Sequence, residues 1–151
     1  MSHIRKSRQF IYKNHVKWLK ERKGLLSSSG KSTIEVATPP EFKGHPGIWT
    51  PEDFFVSSVN ICIMNTFLYF AEREKLELVK YESFAEGTLE RVDNKFMFSK
   101  IKVFPQIFVA SSADIEKAKN LLELSEKGCL ISNSIKSDVE IKPEIEIVSK
   151  E

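Results

Sequence analysis

Two side chains in this sequence, Cys62 and Cys129, could perform covalent chemistry at neutral pH. A cysteine attacks as its thiolate, and an oxidised cysteine within reach of a second thiol is closed into a disulfide. Cysteine is also a small apolar residue that is often simply buried, so type alone leaves both readings open. Their surroundings differ. Cys62 lies in the apolar run Val59-Asn60-Ile61-Cys62-Ile63-Met64, whereas Cys129 directly follows Gly128 at the end of a polar, periodic segment. His3, His15 and His45 have no metal-ligand spacing with one another or with the cysteines, so neither a metal nor another cofactor is expected.

The elements that must position these thiols can be read from periodicity and punctuation. Thr50-Pro51-Glu52-Asp53 provides a capping residue, a proline at the first helical position and two first-turn acids, which predicts a helix from there to about Lys75. From Phe54 to Phe70 that helix is apolar on nearly every side, so it must be covered all round. Its interruption by Ser57, Ser58, Asn60, Asn65 and Thr66 favours a buried helix over a membrane span. Glu52 and Cys62 lie on this one helix, and ten residues at 1.5 Å each separate them by about 15 Å along the axis. On spacing alone, Glu52 is a first-turn acid that complements the helix dipole.

Before the helix, residues 10–20 alternate through Phe10, Tyr12, Val16 and Trp18 as a strand. Glu21 to Gly30 reads as a break, and Lys31 to Ala37 as a second strand ended by Pro39 and Pro40. After the helix come strands at 78–91 and 96–109, joined by a hairpin turn at Asp93-Asn94, with Pro105 marking a bulge or an edge. A second, amphipathic helix starts near Ser111 to Asp114 and stops at Gly128, a candidate C-terminal cap. A last strand follows over 137–149, broken at Pro143. The pattern is α+β without repeats, expected as a single domain over 1–151.

With 23 basic and 21 acidic residues, the chain offers no one-signed field to name a partner. Lys13, Lys17, Lys20, Lys100 and Lys102 interleave with aromatic residues on the expected strands, the one feature that suits a nucleic-acid-binding module. No RNP-type signature accompanies them, so no nucleic acid is expected as a partner. The basic, polar start MSHIRKSRQF lacks a signal-peptide core, which gives the expectation of a cytoplasmic protein with no membrane partner.

Thr50-Pro51-Glu52-Asp53-Phe54-Phe55, Cys62 ten residues after Glu52, and Cys129-Leu130-Ile131-Ser132-Asn133 together resemble the OsmC/Ohr family of organic hydroperoxide reductases. The resemblance extends from about residue 16 to 148. It implies an intertwined homodimer in which two long central helices pack back to back inside antiparallel sheets, with a second amphipathic helix in each chain. It also implies a peroxidatic role for Cys62 and a resolving role for Cys129. Glu52 and an arginine would form the polar side of a pocket at the dimer interface. Arg22 fits that arginine better than Lys23 fits its place, because a guanidinium binds carboxylates in a fixed fork. The implied substrate is an organic hydroperoxide, with Phe54, Phe55, Phe67 and Trp49 as candidate apolar surroundings, and a dithiol reductant, a small thiol or a lipoyl- or thioredoxin-type protein, would reset the disulfide. Two residues depart from the family pattern: Leu130 stands where many members have proline, and Trp49 where smaller residues are usual. A dimer that keeps the fold but binds an apolar ligand without peroxidase activity is the alternative.

Overall fold

The computed structural model describes residues 7–148; His3, the basic residues before Ser7, and Ser149 lie outside it. The chain divides into two compact units, one ending at Asp53 and one beginning at Phe54.

The first unit is a three-stranded antiparallel sheet in the order β1-β2-β3, made of β1 (His15–Lys20), β2 (Lys23–Ser27) and β3 (Ile34–Ala37). Residues 10–14, expected as part of the first strand, are not in it, and Phe10 and Tyr12 are exposed. The expected break at Glu21 to Gly30 conceals β2. The chain reverses at Glu21-Arg22, with Glu21 at φ 51°, and pairs Lys17 with Leu25 and Trp18 with Gly24 at once. Polar ends around a three-letter apolar stretch, Gly24-Leu25-Leu26, hid the strand.

The helix α1 (Pro51–Arg73) starts as its sequence predicts. The Thr50 hydroxyl accepts from the Asp53 amide at 3.1 Å, and the Asp53 carboxylate accepts from the Thr50 amide and hydroxyl, both at 2.9 Å, a reciprocal cap. It ends in a Schellman arrangement. Lys75 takes φ 55°, the Leu76 amide donates to the Ala71 carbonyl, and the Lys75 amide donates to that of Glu72.

In the second unit α1 packs its Val59-Ile63-Phe67-Ala71 stripe against the hairpin of β4 (Leu78–Val92) and β5 (Lys95–Val109). Asp93 and Asn94 at φ 49° and 65° form the left-handed two-residue turn expected of them. Gly87 sets the helix's approach, since a Cβ there would stand 2.5 Å from Val56 Cγ2. The Asn60 amide donates to the Ser83 carbonyl at 3.3 Å on the same side.

Beyond α2 (Ala113–Gly128), β6 (Asp138–Ile141) and β7 (Glu144–Ile147) both run parallel to β5, so this sheet is mixed rather than purely antiparallel. Pro105 is therefore neither on an edge nor at a bulge. The Val103 and Val109 carbonyls accept from the β6–β7 side, which aims residue 105 the same way, into the gap where β6 has ended at the partner of Val103 and β7 begins at that of Gln106. The N–H that proline lacks is not needed there.

Gly128, expected as a left-handed cap, is instead the last helical residue and has no positive φ. It faces α1, where a Cβ would meet Thr66 and Phe70 at 3.5 and 3.8 Å, ordinary contact distances. Within the chain only one side of α1 is covered. Ile61 and Tyr69 are 52% and 58% exposed, so the expected all-round burial is not met by a single copy. By length and composition alone α1 would also pass as a membrane span, but its buried stripe is packed against the sheet.

Candidate active site

Cys62 lies one position from the core stripe of α1, on the side that meets the end of α2. Cys129, the first residue after α2, is fully buried, and its chain leads through Leu130 and Ile131 into the 3-10 turn Ser132–Ser134. The fold thus closes the sequence gap between the two cysteines and brings each thiol near enough to bear on the other's protonation. Both sulfurs are free thiols.

The two thiols are shifted in opposite directions. Burial pushes Cys62 up, but four donors outweigh it and bring it below its ordinary value: the Ile131 amide, the Cys129 thiol, the Thr66 hydroxyl and the Leu130 amide. Thr66 stands one helical turn after Cys62, and its hydroxyl also lies 2.7 Å from the Cys62 carbonyl oxygen. A hydroxyl has a single proton to give, so the carbonyl and the sulfur of Cys62 compete for it. Two consecutive backbone amides near the sulfur favour its charged form over the neutral one.

Cys129 is raised, first by burial and further by the negative neighbour Cys62, against the pull of Ser132. Ser132 donates to the Cys129 sulfur twice, from its hydroxyl at 3.1 Å and from its amide at 3.4 Å. Of the two sulfurs, Cys62 is therefore the one that gives up its proton more readily.

The other two expected site residues are not part of this thiol cluster. Glu52 is on the first turn of α1, well before Cys62 along the axis, and its Oε2 is buried with no hydrogen-bond partner. Arg22 sits at the β1–β2 turn of the first unit, where it donates to the Phe42 carbonyl at 3.3 Å. Among the described residues it makes no ion pair with Glu52 within the chain. Arg22 and Lys23 border an apolar groove of about 440 Å³, walled by Val16, Trp18, Val36 and Pro51. Trp49 is spent in part on structure, its carbonyl accepting from the Ala37 amide at 2.9 Å. Among the described residues no group of histidines, cysteines and acids could hold a metal ion.

Sequence reasoning missed the Leu130 and Ile131 amides, Thr66, and the two Ser132 donors. Thr66 was legible, because residues four apart on a helix share a face. Backbone amides leave no letter.

The family model for OsmC-like proteins matches residues 44–144, a span that holds both cysteines and Glu52. The chain belongs to the OsmC-like family. Solved structures agree on the fold. An OsmC-like protein of unknown function from Vibrio cholerae superimposes with a TM-score of 0.83 at 19% identity, covering 90% of this chain and 100% of the other. An organic hydroperoxide resistance protein from Elizabethkingia anophelis, with thiocyanate bound, gives 0.70 at 19% identity, covering 95% and 100%. One from Legionella pneumophila gives 0.66 at 22%, covering 92% and 98%. No curated protein matches the chain in sequence. This OsmC-like chain carries Arg22 outside the matched span, in the unit that ends at Asp53.

Proposed function

We propose that this OsmC-like chain is a cysteine-based peroxidase that reduces organic hydroperoxides to alcohols. The observation that carries the reading is the thiol pair itself, with Cys62 lowered by converging donors and Cys129 held protonated in contact with it.

The chemistry follows from that arrangement. The Cys62 thiolate attacks the outer oxygen of the hydroperoxide, the O–O bond breaks, and the alkoxide takes up a proton and leaves as the alcohol. Cys62 is then a sulfenic acid. The Cys129 sulfur attacks the Cys62 sulfur, the S–O bond breaks, and the oxygen leaves as water with the Cys129 proton. The disulfide preserves Cys62 from further oxidation until a dithiol, a small thiol or a lipoyl- or thioredoxin-type protein, reduces it.

The working assembly is a homodimer in the cytoplasm. In its favour, Ile61, Leu68 and Tyr69 leave an apolar face of α1 bare, too extensive for a monomer to leave in water. Glu52 and Arg22 would supply the polar side of the pocket in that dimer, and the unpartnered Glu52 oxygen is what an incoming guanidinium would satisfy. A dimer that holds an apolar ligand without turnover is the second reading, favoured by the groove beside Arg22.

One equivalent of cumene hydroperoxide added to the reduced protein separates the two. The expected result is rapid loss of both thiols and a Cys62–Cys129 disulfide in the peptide map. Two intact thiols would overturn the peroxidase reading and leave the ligand-binding dimer.

A further inference from the structure

The resolving thiol poses a problem that the peroxidatic one does not. Cys129 is fully buried, donates its proton toward Cys62, and must become a nucleophile only after Cys62 has been oxidised. A buried thiol has no solvent to stabilise the charge that builds on its sulfur as the proton leaves. Some protein donor has to accept that charge, and it must act on Cys129 without quenching Cys62.

Ser132 occupies that place. Its hydroxyl and its amide both donate to Cys129 Sγ, at 3.1 and 3.4 Å. Its neighbours are committed elsewhere: the Leu130 and Ile131 amides serve Cys62, the Asn133 side chain donates to the Lys127 carbonyl, and the Ser134 hydroxyl donates to the Leu130 carbonyl. The short turn after α2 therefore divides its donors between the two sulfurs, two amides for one and one residue's pair for the other.

We propose that Ser132 is a positioning residue for the resolving step, holding the Cys129 sulfur toward Cys62 and taking up its negative charge as the S–S bond forms. While Cys62 is a thiolate, its charge keeps the proton on Cys129. Once Cys62 becomes an uncharged sulfenic acid, that charge is gone and the two Ser132 donors act unopposed. The balance of the step is unchanged: the S–O bond on Cys62 breaks, the S–S bond forms, and the Cys129 proton departs in water. Ser132 gives a hydrogen bond throughout and loses no proton. Resolution is thereby timed by oxidation of Cys62.

The inference names a step of the proposed peroxidase reaction, but its test does not depend on peroxide. Cys62 of the reduced protein is loaded with 5,5′-dithiobis(2-nitrobenzoate), which releases one thionitrobenzoate and leaves a mixed disulfide with no charge on the Cys62 sulfur. Release of the second equivalent then reports attack by Cys129 alone. In Ser132→Ala this second phase is expected to slow about tenfold at pH 7, the loss of one hydrogen bond to a charged sulfur, and its pH midpoint to move upward. Ser132→Thr, which keeps the hydroxyl, is expected to restore both. A second phase in Ser132→Ala with parental rate and midpoint would overturn the inference, as would a slowing that Ser132→Thr shares with no shift in midpoint. Failure of the peroxidase reading would appear separately, as Cys62 that reacts with this disulfide but not with cumene hydroperoxide.

Discussion

From Phe54 onward, Val59, Ile63, Phe67, Ile101, Val103, Ile107 and Val109 are buried to nothing, and the Cys62 sulfur beside them is brought below its ordinary value by four groups of the same unit. Before Asp53 the picture reverses. Every residue of β1 is exposed, Val16 and Trp18 by 64% and 73%, and buried apolar side chains are nearly lacking among the described residues. The second unit carries a core and a thiol site assembled from its own chain. The first is a small three-stranded sheet with little buried apolar surface of its own, and a unit with so small a core is marginal alone. Both cysteines belong to the second unit, while Arg22 and its groove belong to the first.

The largest expected effect tests that division directly. Cys62→Ser is expected to remove peroxide turnover by at least about a thousandfold, since a serine hydroxyl has no comparable anion at neutral pH. Arg22→Ala is expected to cost less, about ten- to a hundredfold in kcat/KM, with Cys62 alkylation by iodoacetamide near the parental rate. Steady-state peroxide consumption and alkylation rates together check it. An Arg22→Ala variant whose Cys62 also ceased to react would mean that the cation, and not the amides of Leu130 and Ile131, makes the thiolate.

A second contrast concerns stability. Gly87→Ala places a Cβ against Val56 and the Phe98 ring in the packed second unit, and is expected to destabilise by about 1–3 kcal/mol, read from urea unfolding. Val16→Ser on the bare face of β1 is expected to lower Tm more at low protein concentration than at high, as it must if a second copy covers that face. A concentration-independent change would show instead that the sheet stands uncovered.

Much of the second unit was legible in advance because its signals are local and redundant. Thr50-Pro51-Glu52-Asp53 announces a helix through four separate preferences, and Asp93-Asn94 between long alternating runs admits little but a hairpin. The misreadings have a common cause in neighbours that the sequence does not display. Pro105 reads as a bulge or an edge because β5 does not reveal that its partner on one side changes from β6 to β7 beside it. Gly128 was taken for a cap because nothing in its own segment shows that α1 runs against it. β2 was lost because a strand of five residues gains its order from two flanking strands rather than from its own alternation. The candidate site divides in the same way. Cys62 and Cys129 are letters with chemistry attached, whereas the donors that set them apart are two backbone amides and a threonine whose role depends on a distant turn.

The smallest expected effect concerns that threonine. Thr66→Val keeps the shape of the side chain and removes one of the four groups that bring Cys62 below its ordinary value. One hydrogen bond to the sulfur is worth about 1 kcal/mol, so alkylation of Cys62 near neutral pH is expected to slow by about fivefold and its pH midpoint to rise. The sign for stability follows from the same direction. A thiol lowered by folding stabilises the native state above the pKa it has when unfolded, and loses that contribution as pH falls through its native value. Thr66→Val should therefore bring the reduced protein's stability at alkaline pH closer to its stability at mildly acidic pH, while Cys129, raised by burial and by Cys62, works in the opposite sense. Equal alkylation profiles for Thr66→Val and the parent would assign the hydroxyl wholly to the Cys62 carbonyl at 2.7 Å, and leave the thiolate to the Leu130 and Ile131 amides and the Cys129 thiol.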